Sequence, residues 1–85
     1  MMLTVWKYPL KIVDSQEIQI PRGAEPLCVQ LQRGELNLWA RINPSSPSST
    51  MNIFVHGTGH MCTSSKYLGT FQMAEEALVF HVFWE

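Results

Sequence analysis

The chain has 85 residues, a formal net charge of −1, and only six Lys and Arg residues, which form no basic block. A protein that coats DNA or RNA needs clustered basic side chains to displace counterions, so neither nucleic acid is an expected partner. A chain of this length builds a thin core, and four Phe, three Trp and two Tyr are many rings for it, so we expect a homo-oligomer.

Cysteine content and hydropathy indicate where the protein works. Cys28 and Cys62 could form one bridge, but two cysteines are too few for a disulfide framework. The first residues lack the basic and apolar segments of a secretory signal, and no apolar run approaches the length of a membrane span. We therefore expect a soluble cytoplasmic protein with reduced thiols and no membrane partner.

The first half of the chain predicts an edge strand and a hairpin. "TVWKY" precedes Pro9, and a proline favours the edge of a sheet because it cannot donate to the ladder. "EIQI" alternates apolar and polar residues, as a half-buried strand does. "LCVQLQRGELNLWARI" alternates on both sides of Arg33-Gly34, which predicts a two-residue turn. The predicted pairs are Leu31 with Leu36, Val29 with Leu38, Leu27 with Ala40, Cys28 with Trp39, and Gln30 with Asn37.

The second half predicts a loop, a strand and a second hairpin. Residues 44–50, "PSSPSST", are rich in Ser and Pro and indicate a mobile loop, and "MNIFVHG" resumes a strand. The second hairpin has arms at 67–73 and 77–84, with Glu75 and Glu76 in its turn. "LVFHVFW" is apolar on both faces except for its histidine, so this strand should be central or covered by another subunit. With about six short strands and no helical period, residues 1–85 predict one all-β domain, a small antiparallel sandwich or barrel.

The stretch "IFVHGTGHMC" admits three chemical interpretations. His56, His60 and Cys62 have H-x3-H-x-C spacing, but no further ligand lies near them in sequence, so we expect no metal. No activating partner accompanies either cysteine and no pair of acids suggests general acid–base chemistry, so we expect no enzyme and no cofactor. The third interpretation is an anion cradle made by Gly57, Thr58, Gly59 and His60, and its alternative is a plain turn.

Other residues could complete a binding site with this cradle. Trp39 and Arg41 lie two residues apart, on the strand face away from the apolar stripe, where a ring can stack a base and a guanidinium can pair a phosphate. Trp39 could instead pack against a second sheet or subunit. Arg22 lies in the Pro/Gly turn "IPRGAEP", and Tyr67 is a second candidate for stacking.

The segments "WKYPL", "IPRGAEPLCVQLQRGELNLWA", "FVHGTGH" and "YLGTFQ", followed by "ALVFHVF", resemble a family of small, mostly uncharacterised phage and prophage proteins over nearly the full length. The resemblance implies a β-rich oligomer acting as a virion accessory, a regulator of host enzymes or an anti-defence protein.

These observations favour a non-enzymatic sponge that sequesters a small nucleotide-derived immune signal in the infected bacterial cytoplasm. Trp39 or Tyr67 would stack the base, Arg22 and Arg41 would pair the phosphates, and the 57–60 loop would add N–H groups and a hydroxyl. The alternative is a virion component or an inhibitor that docks on a host protein. A weaker alternative is a metal-dependent hydrolase using His56, His60 and His81.

Overall fold

A computed structural model describes residues 2–63, 66–73 and 77–85, which form seven strands and no helix. The strands are β1 (Thr4–Pro9), β2 (Ser15–Pro21), β3 (Glu25–Gln32), β4 (Glu35–Ile42), β5 (Ser48–Gly57), β6 (Lys66–Met73) and β7 (Leu78–Trp84). The prediction of an all-β antiparallel sandwich is confirmed, with one more strand than expected.

Two antiparallel sheets make up the sandwich. Sheet A has the order β1-β4-β3, and sheet B has the order β2-β5-β7-β6. Strand β1 lies at an edge and β7 lies inside its sheet, as the sequence predicted. Alternate residues of each strand point to opposite sides, which gives each sheet one apolar side. The apolar sides of the two sheets face each other. The side chains buried between the sheets include Val29, Leu36, Leu38, Ala40, Ile42, Met51, Ile53, Val55, Phe71 and Val82.

The first hairpin has the predicted register except at its open end. Leu31 faces Leu36, and the pairing continues as predicted through Cys28 and Trp39. The register then shifts, so that Pro26, and not Leu27, faces Ala40. The extra residue is a β-bulge, which leaves Leu27 without a cross-strand partner and 46% exposed. The predicted pairing of Leu27 with Ala40 is therefore wrong, since simple alternation cannot anticipate an inserted residue.

The Ser/Pro segment is shorter as a loop than the sequence suggested. Strand β5 begins at Ser48, and Ser48–Thr50 pair with β2, where Thr50 lies opposite Gln19. The loop between β4 and β5 is therefore confined to residues 43–47. The second hairpin joins β6 to β7 as predicted, but the proposed turn residues Glu75 and Glu76 lie outside the described part of the chain.

The two sides of the sandwich differ. Strands β3 and β6 lie side by side and join sheet A to sheet B. On the opposite side, β1 and β2 make no contact of similar extent among the described residues. Sheet A therefore ends there at β1, whose second edge has no neighbouring strand in this part of the structure.

Candidate functional site

Strand β4 directs Trp39 and Arg41 to the outer face of sheet A. Leu38, Ala40 and Ile42 are buried between the sheets, so the residues that alternate with them point away from the core. Trp39 is partly buried between Lys7 on β1 and Cys28 on β3, and Arg41 is exposed. The predicted arrangement of a ring and a guanidinium on one face is present.

The turn between β2 and β3 brings Arg22 to the same place. Its backbone N–H donates to the carbonyl of Pro47 over 2.8 Å, and Gly23 has a φ of 79° that favours glycine. Arg22 and Arg41 thus line one cavity of about 450 Å³ at the end of sheet A. The other residues around it are Leu3, Gly23, Glu25, Asn43 and Ser46.

One carboxylate neutralises part of the positive charge of this cavity. Glu25 lies opposite Arg41 in the ladder and forms an ion pair with its guanidinium. The two side chains are 53% and 51% exposed, so water competes for the pair and it contributes little stability. Sequence analysis did not identify Glu25, although the register of the predicted hairpin, had it included the bulge, would have placed it beside Arg41.

Basic residues concentrate on the outer face of sheet A and its two ends. Four of the six Lys and Arg of the chain lie there: Lys7, Arg22, Arg33 and Arg41. Lys7 donates a hydrogen bond from Nζ to Gln32 Oε1 over 2.8 Å, beside Trp39. The acids on this face are Glu25 and Glu35, so it carries a positive balance although the whole chain is slightly acidic.

The 57–60 loop lies at the other end of the sandwich and uses its donors internally. The N–H of Thr58 donates to the carbonyl of Val79 over 3.2 Å, and the N–H of His60 donates to the carbonyl of Gly57 over 3.1 Å. Gly59 has a φ of 89°, as a tight turn requires. With two of its N–H groups engaged, this loop has the properties of a structural turn more than those of an anion cradle.

A chain of hydrogen bonds crosses the outer face of sheet B. Tyr67 Oη lies 2.6 Å from Thr70 Oγ1, which lies 3.0 Å from His81 Nδ1. His81 Nε2 in turn lies 2.8 Å from Thr58 Oγ1. This series of hydrogen bonds anchors the 57–60 loop to β6 and β7. Thr70 and His81 were missed as partners because only the pairing of β6 with β7 brings them together.

Aromatic rings cover the middle of the same face. His56 and Tyr67 each meet Phe83 edge to face, with ring centroids 5.6 and 5.5 Å apart. His56 and His81 are opposite each other on β5 and β7, whereas the ring of His60 lies over Gly57. No group of three His, Cys, Asp or Glu residues able to hold a metal occurs among the described residues.

The eight predicted site residues therefore fall into two groups. Arg22 adjoins the first residue of β5 and Thr58 follows the last, and a ten-residue strand is about 30 Å long. Arg22, Trp39 and Arg41 belong to the outer face and end of sheet A. Gly57, Thr58, Gly59, His60 and Tyr67 belong to sheet B and its loop. One subunit cannot bring both groups onto one small ligand.

Comparison with known proteins identifies a family but not an activity. The family model "Domain of unknown function (DUF7352)" matches residues 1–85. The chain belongs to this family. Its expected membership of an uncharacterised family is thereby confirmed, and a phage origin stays a prediction. No curated protein and no solved structure matches the chain significantly. No helix within the described residues is long and apolar enough to cross a membrane.

Proposed function

We propose that this protein is a non-enzymatic binding protein that captures a small, phosphate-bearing nucleotide derivative on the outer face of sheet A. Trp39 stacks the base, while Arg41 and Arg22 pair the phosphates. If the resemblance to phage proteins reflects the source of the chain, the capture would serve as an anti-defence sponge for an immune signal in the host cytoplasm.

The observation that carries the proposal is the cavity lined by Arg22 and Arg41, with Trp39 two residues before Arg41 on the same face of β4. Its volume of about 450 Å³ lies within the range typical of small-molecule sites. Guanidinium groups bind phosphates through paired, charge-assisted hydrogen bonds, and a partly buried indole offers a flat surface for stacking. The presence of both kinds of side chain on one face supports the proposal that the ligand is a nucleotide derivative.

Glu25 sets a condition on the ligand. An anion that binds Arg41 must displace or share the Glu25 carboxylate, which costs little because the ion pair is half exposed. A neutral ligand gains nothing from the displacement. The site should therefore prefer ligands with two or more negative charges, and Glu25→Gln should tighten their binding by removing the competing carboxylate.

The first experiment is native mass spectrometry of the protein with a panel of cyclic and ADP-ribose-derived nucleotides. A nucleotide retained intact in fixed ratio to subunits supports capture, whereas a converted nucleotide indicates an enzyme. Titration calorimetry with a retained nucleotide then compares Trp39→Leu and Arg41→Gln with Arg33→Gln, a control that removes a charge from the far end of the same face. Each site variant should weaken binding at least tenfold, and equal affinity in all three would overturn the site.

A second candidate function, docking on a host or virion protein, is favoured by the outer face of sheet B. Phe54, His56, Phe83 and Tyr67 form an aromatic surface there that the fold itself leaves partly exposed. Aromatic side chains are frequent anchors of protein interfaces. If no nucleotide is retained, pull-down with the wild type and with a Tyr67→Ser, Phe83→Ser variant would test this function.

A further inference from the structure

The free edge of β1 is apolar. Leu3, which directly precedes β1, and Val5 and Trp6 within it are each about half exposed, with exposed fractions of 50%, 52% and 45%. Most edge strands carry charges, bulges or prolines that prevent pairing with another chain. Strand β1 has a single charge, Lys7, and its proline lies at its last residue, Pro9.

The backbone pattern shows which groups point outward from this edge. Leu10 donates from its N–H to the carbonyl of Leu36 over 2.9 Å, and these residues continue the register of β1 with β4. Hydrogen-bonded pairs alternate along an antiparallel ladder, so the even residues of β1 bond to β4. The N–H and C=O groups of Leu3, Val5 and Lys7 therefore point away from sheet A. Pro9 is the next position in this series, and it has no N–H to offer.

We propose that β1 pairs antiparallel with β1 of a second copy of this chain, which joins the two A sheets into one six-stranded sheet. The two-fold axis passes at Val5, which faces Val5 of the second copy. Leu3 then faces Lys7 of the second copy, and the reverse pair forms on the other side of the axis. This register uses every outward N–H group of the strand and leaves Pro9 beyond the paired segment.

The strand itself favours a second copy as the occupant of the edge. An antiparallel pair of identical strands satisfies each outward donor with the matching acceptor, because the two-fold axis exchanges the two roles. In this register neither Lys7 faces the other, since each lies opposite Leu3. The exposed side chains of the two Val5 residues cover each other at the junction, and each Leu3 lies against the side chain of Lys7 of the other copy. A chain of 85 residues has a thin core, so the added burial of apolar surface stabilises it.

The dimer also brings a basic residue of the second copy close to the candidate ligand site. Leu3 lines the same cavity as Arg22 and Arg41. In the proposed register, Lys7 of the second copy lies directly opposite Leu3. Once Lys7 releases its hydrogen bond to Gln32 of its own subunit, it supplies the cavity of the other subunit with a third basic residue. This consequence rests on the proposed function, but the dimer does not, since it follows from the edge alone.

Proline substitution tests the interface with a matched control. Val5→Pro removes one outward N–H without removing a bond to β4. Glu17→Pro makes the same change on the free edge of β2, since Val55 donates to Asp14 and so places the alternate residues of β2 outward. Sedimentation equilibrium should give twice the 9.7 kDa chain mass for the wild type and for Glu17→Pro, and the single mass for Val5→Pro. Far-ultraviolet circular dichroism verifies that each variant is folded.

Cysteine cross-linking tests the register independently of the proline variant. In a Cys28→Ser, Cys62→Ser background, Val5→Cys places two thiols on a hydrogen-bonded pair, where Cα atoms are about 5.5 Å apart. Lys7→Cys is the control, because its two copies are offset by four residues, or about 13 Å. Mild oxidation should give a covalent dimer for Val5→Cys and at least tenfold less for Lys7→Cys. A monomeric wild type, a dimeric Val5→Pro, or absent Val5→Cys cross-linking would each overturn the proposal.

Discussion

Gly69 on β6 packs against Val29 on β3, where the two sheets meet: a Cβ added to Gly69 would lie 2.7 Å from Val29 Cγ2. Cβ atoms do not approach carbon that closely, so only a residue without a side chain fits. The backbone N and O of Val29 are farther away, at 3.6 Å, which makes the methyl group of Val29 the obstacle. A side chain at position 69 would therefore force Val29 or the neighbouring strands to move.

The contact predicts a double-mutant cycle. Gly69→Ala should destabilise the fold by ~2 kcal/mol, because an overpacked core must displace its neighbours. In a Val29→Ala background the obstructing methyl is gone, so the same change should cost ~1 kcal/mol less. This difference is the coupling energy between positions 29 and 69. Urea denaturation of the four proteins measures both values. Additive costs would show that Val29 does not limit the approach of β6.

The turn of the first hairpin carries strain that a substitution should relieve. Arg33 has a φ of 54° and Gly34 a φ of 80°, the combination that a type I′ turn requires. Most residues with a Cβ are strained in this conformation, whereas Asn adopts it at lower cost. Arg33→Asn should therefore raise the free energy of unfolding by ~0.5–1 kcal/mol.

The matched control for the turn is Gly34→Ala, which adds the same kind of strain at the neighbouring position. It should lower the free energy of unfolding by ~1 kcal/mol. Nothing lies within 4 Å of a Cβ at Gly34, so the change in chemical denaturation reports backbone conformation without steric contact. A stabilising Gly34→Ala or a destabilising Arg33→Asn would contradict the turn type.

The hydroxyl of Thr58 is expected to stabilise the fold. Thr58→Val keeps the shape of the side chain but removes the oxygen that lies 2.8 Å from His81 Nε2. Loss of this hydrogen bond should cost ~1 kcal/mol and speed hydrogen exchange at the amides of Thr58 and His60. Thr58→Ser retains the oxygen and is the control. The nucleotide binding proposed for the Arg41 site should be the same in both variants, because that site and Thr58 are at opposite ends of β5.

The phenol of Tyr8 should be dispensable. Its Oη is buried and has no hydrogen-bond partner among the residues that the structure describes, and burial raises the pKa of Tyr8 above its usual 10.0. Tyr8→Phe removes an unsatisfied hydroxyl, so thermal denaturation at neutral pH should show equal or higher stability, by up to ~1 kcal/mol.

The raised pKa of Tyr8 also gives a pH dependence with a definite sign. The unfolded chain releases the phenol proton at a lower pH than the folded protein does. The contribution of Tyr8 to stability is therefore complete below pH 10.0 and is lost as the pH rises through the folded pKa. Stability should thus fall less steeply above pH 10 in Tyr8→Phe than in the wild type. Identical alkaline profiles would show that Tyr8 titrates alike in both states.

Local alternation determined much of the fold. The pleat of a strand sends neighbouring residues to opposite faces, so the pattern around Arg33-Gly34 determines both the hairpin and most of its register. The same rule places Trp39 and Arg41 together on one face. The edge position of β1 and the interior position of β7 also follow from local signals, a proline and a continuous apolar run.

Only the tertiary structure decided which distant residues share a site. A sequence contains no distance between Arg22 and Thr58, and it is the length of β5 that separates them to opposite ends of the sandwich. The bulge at Leu27, the contact of Gly69 with Val29 and the partners of His81 all depend on how whole strands pair and stack. Side-chain alternation is a property of each strand by itself, whereas the grouping of side chains into a site is a property of the packed sheets.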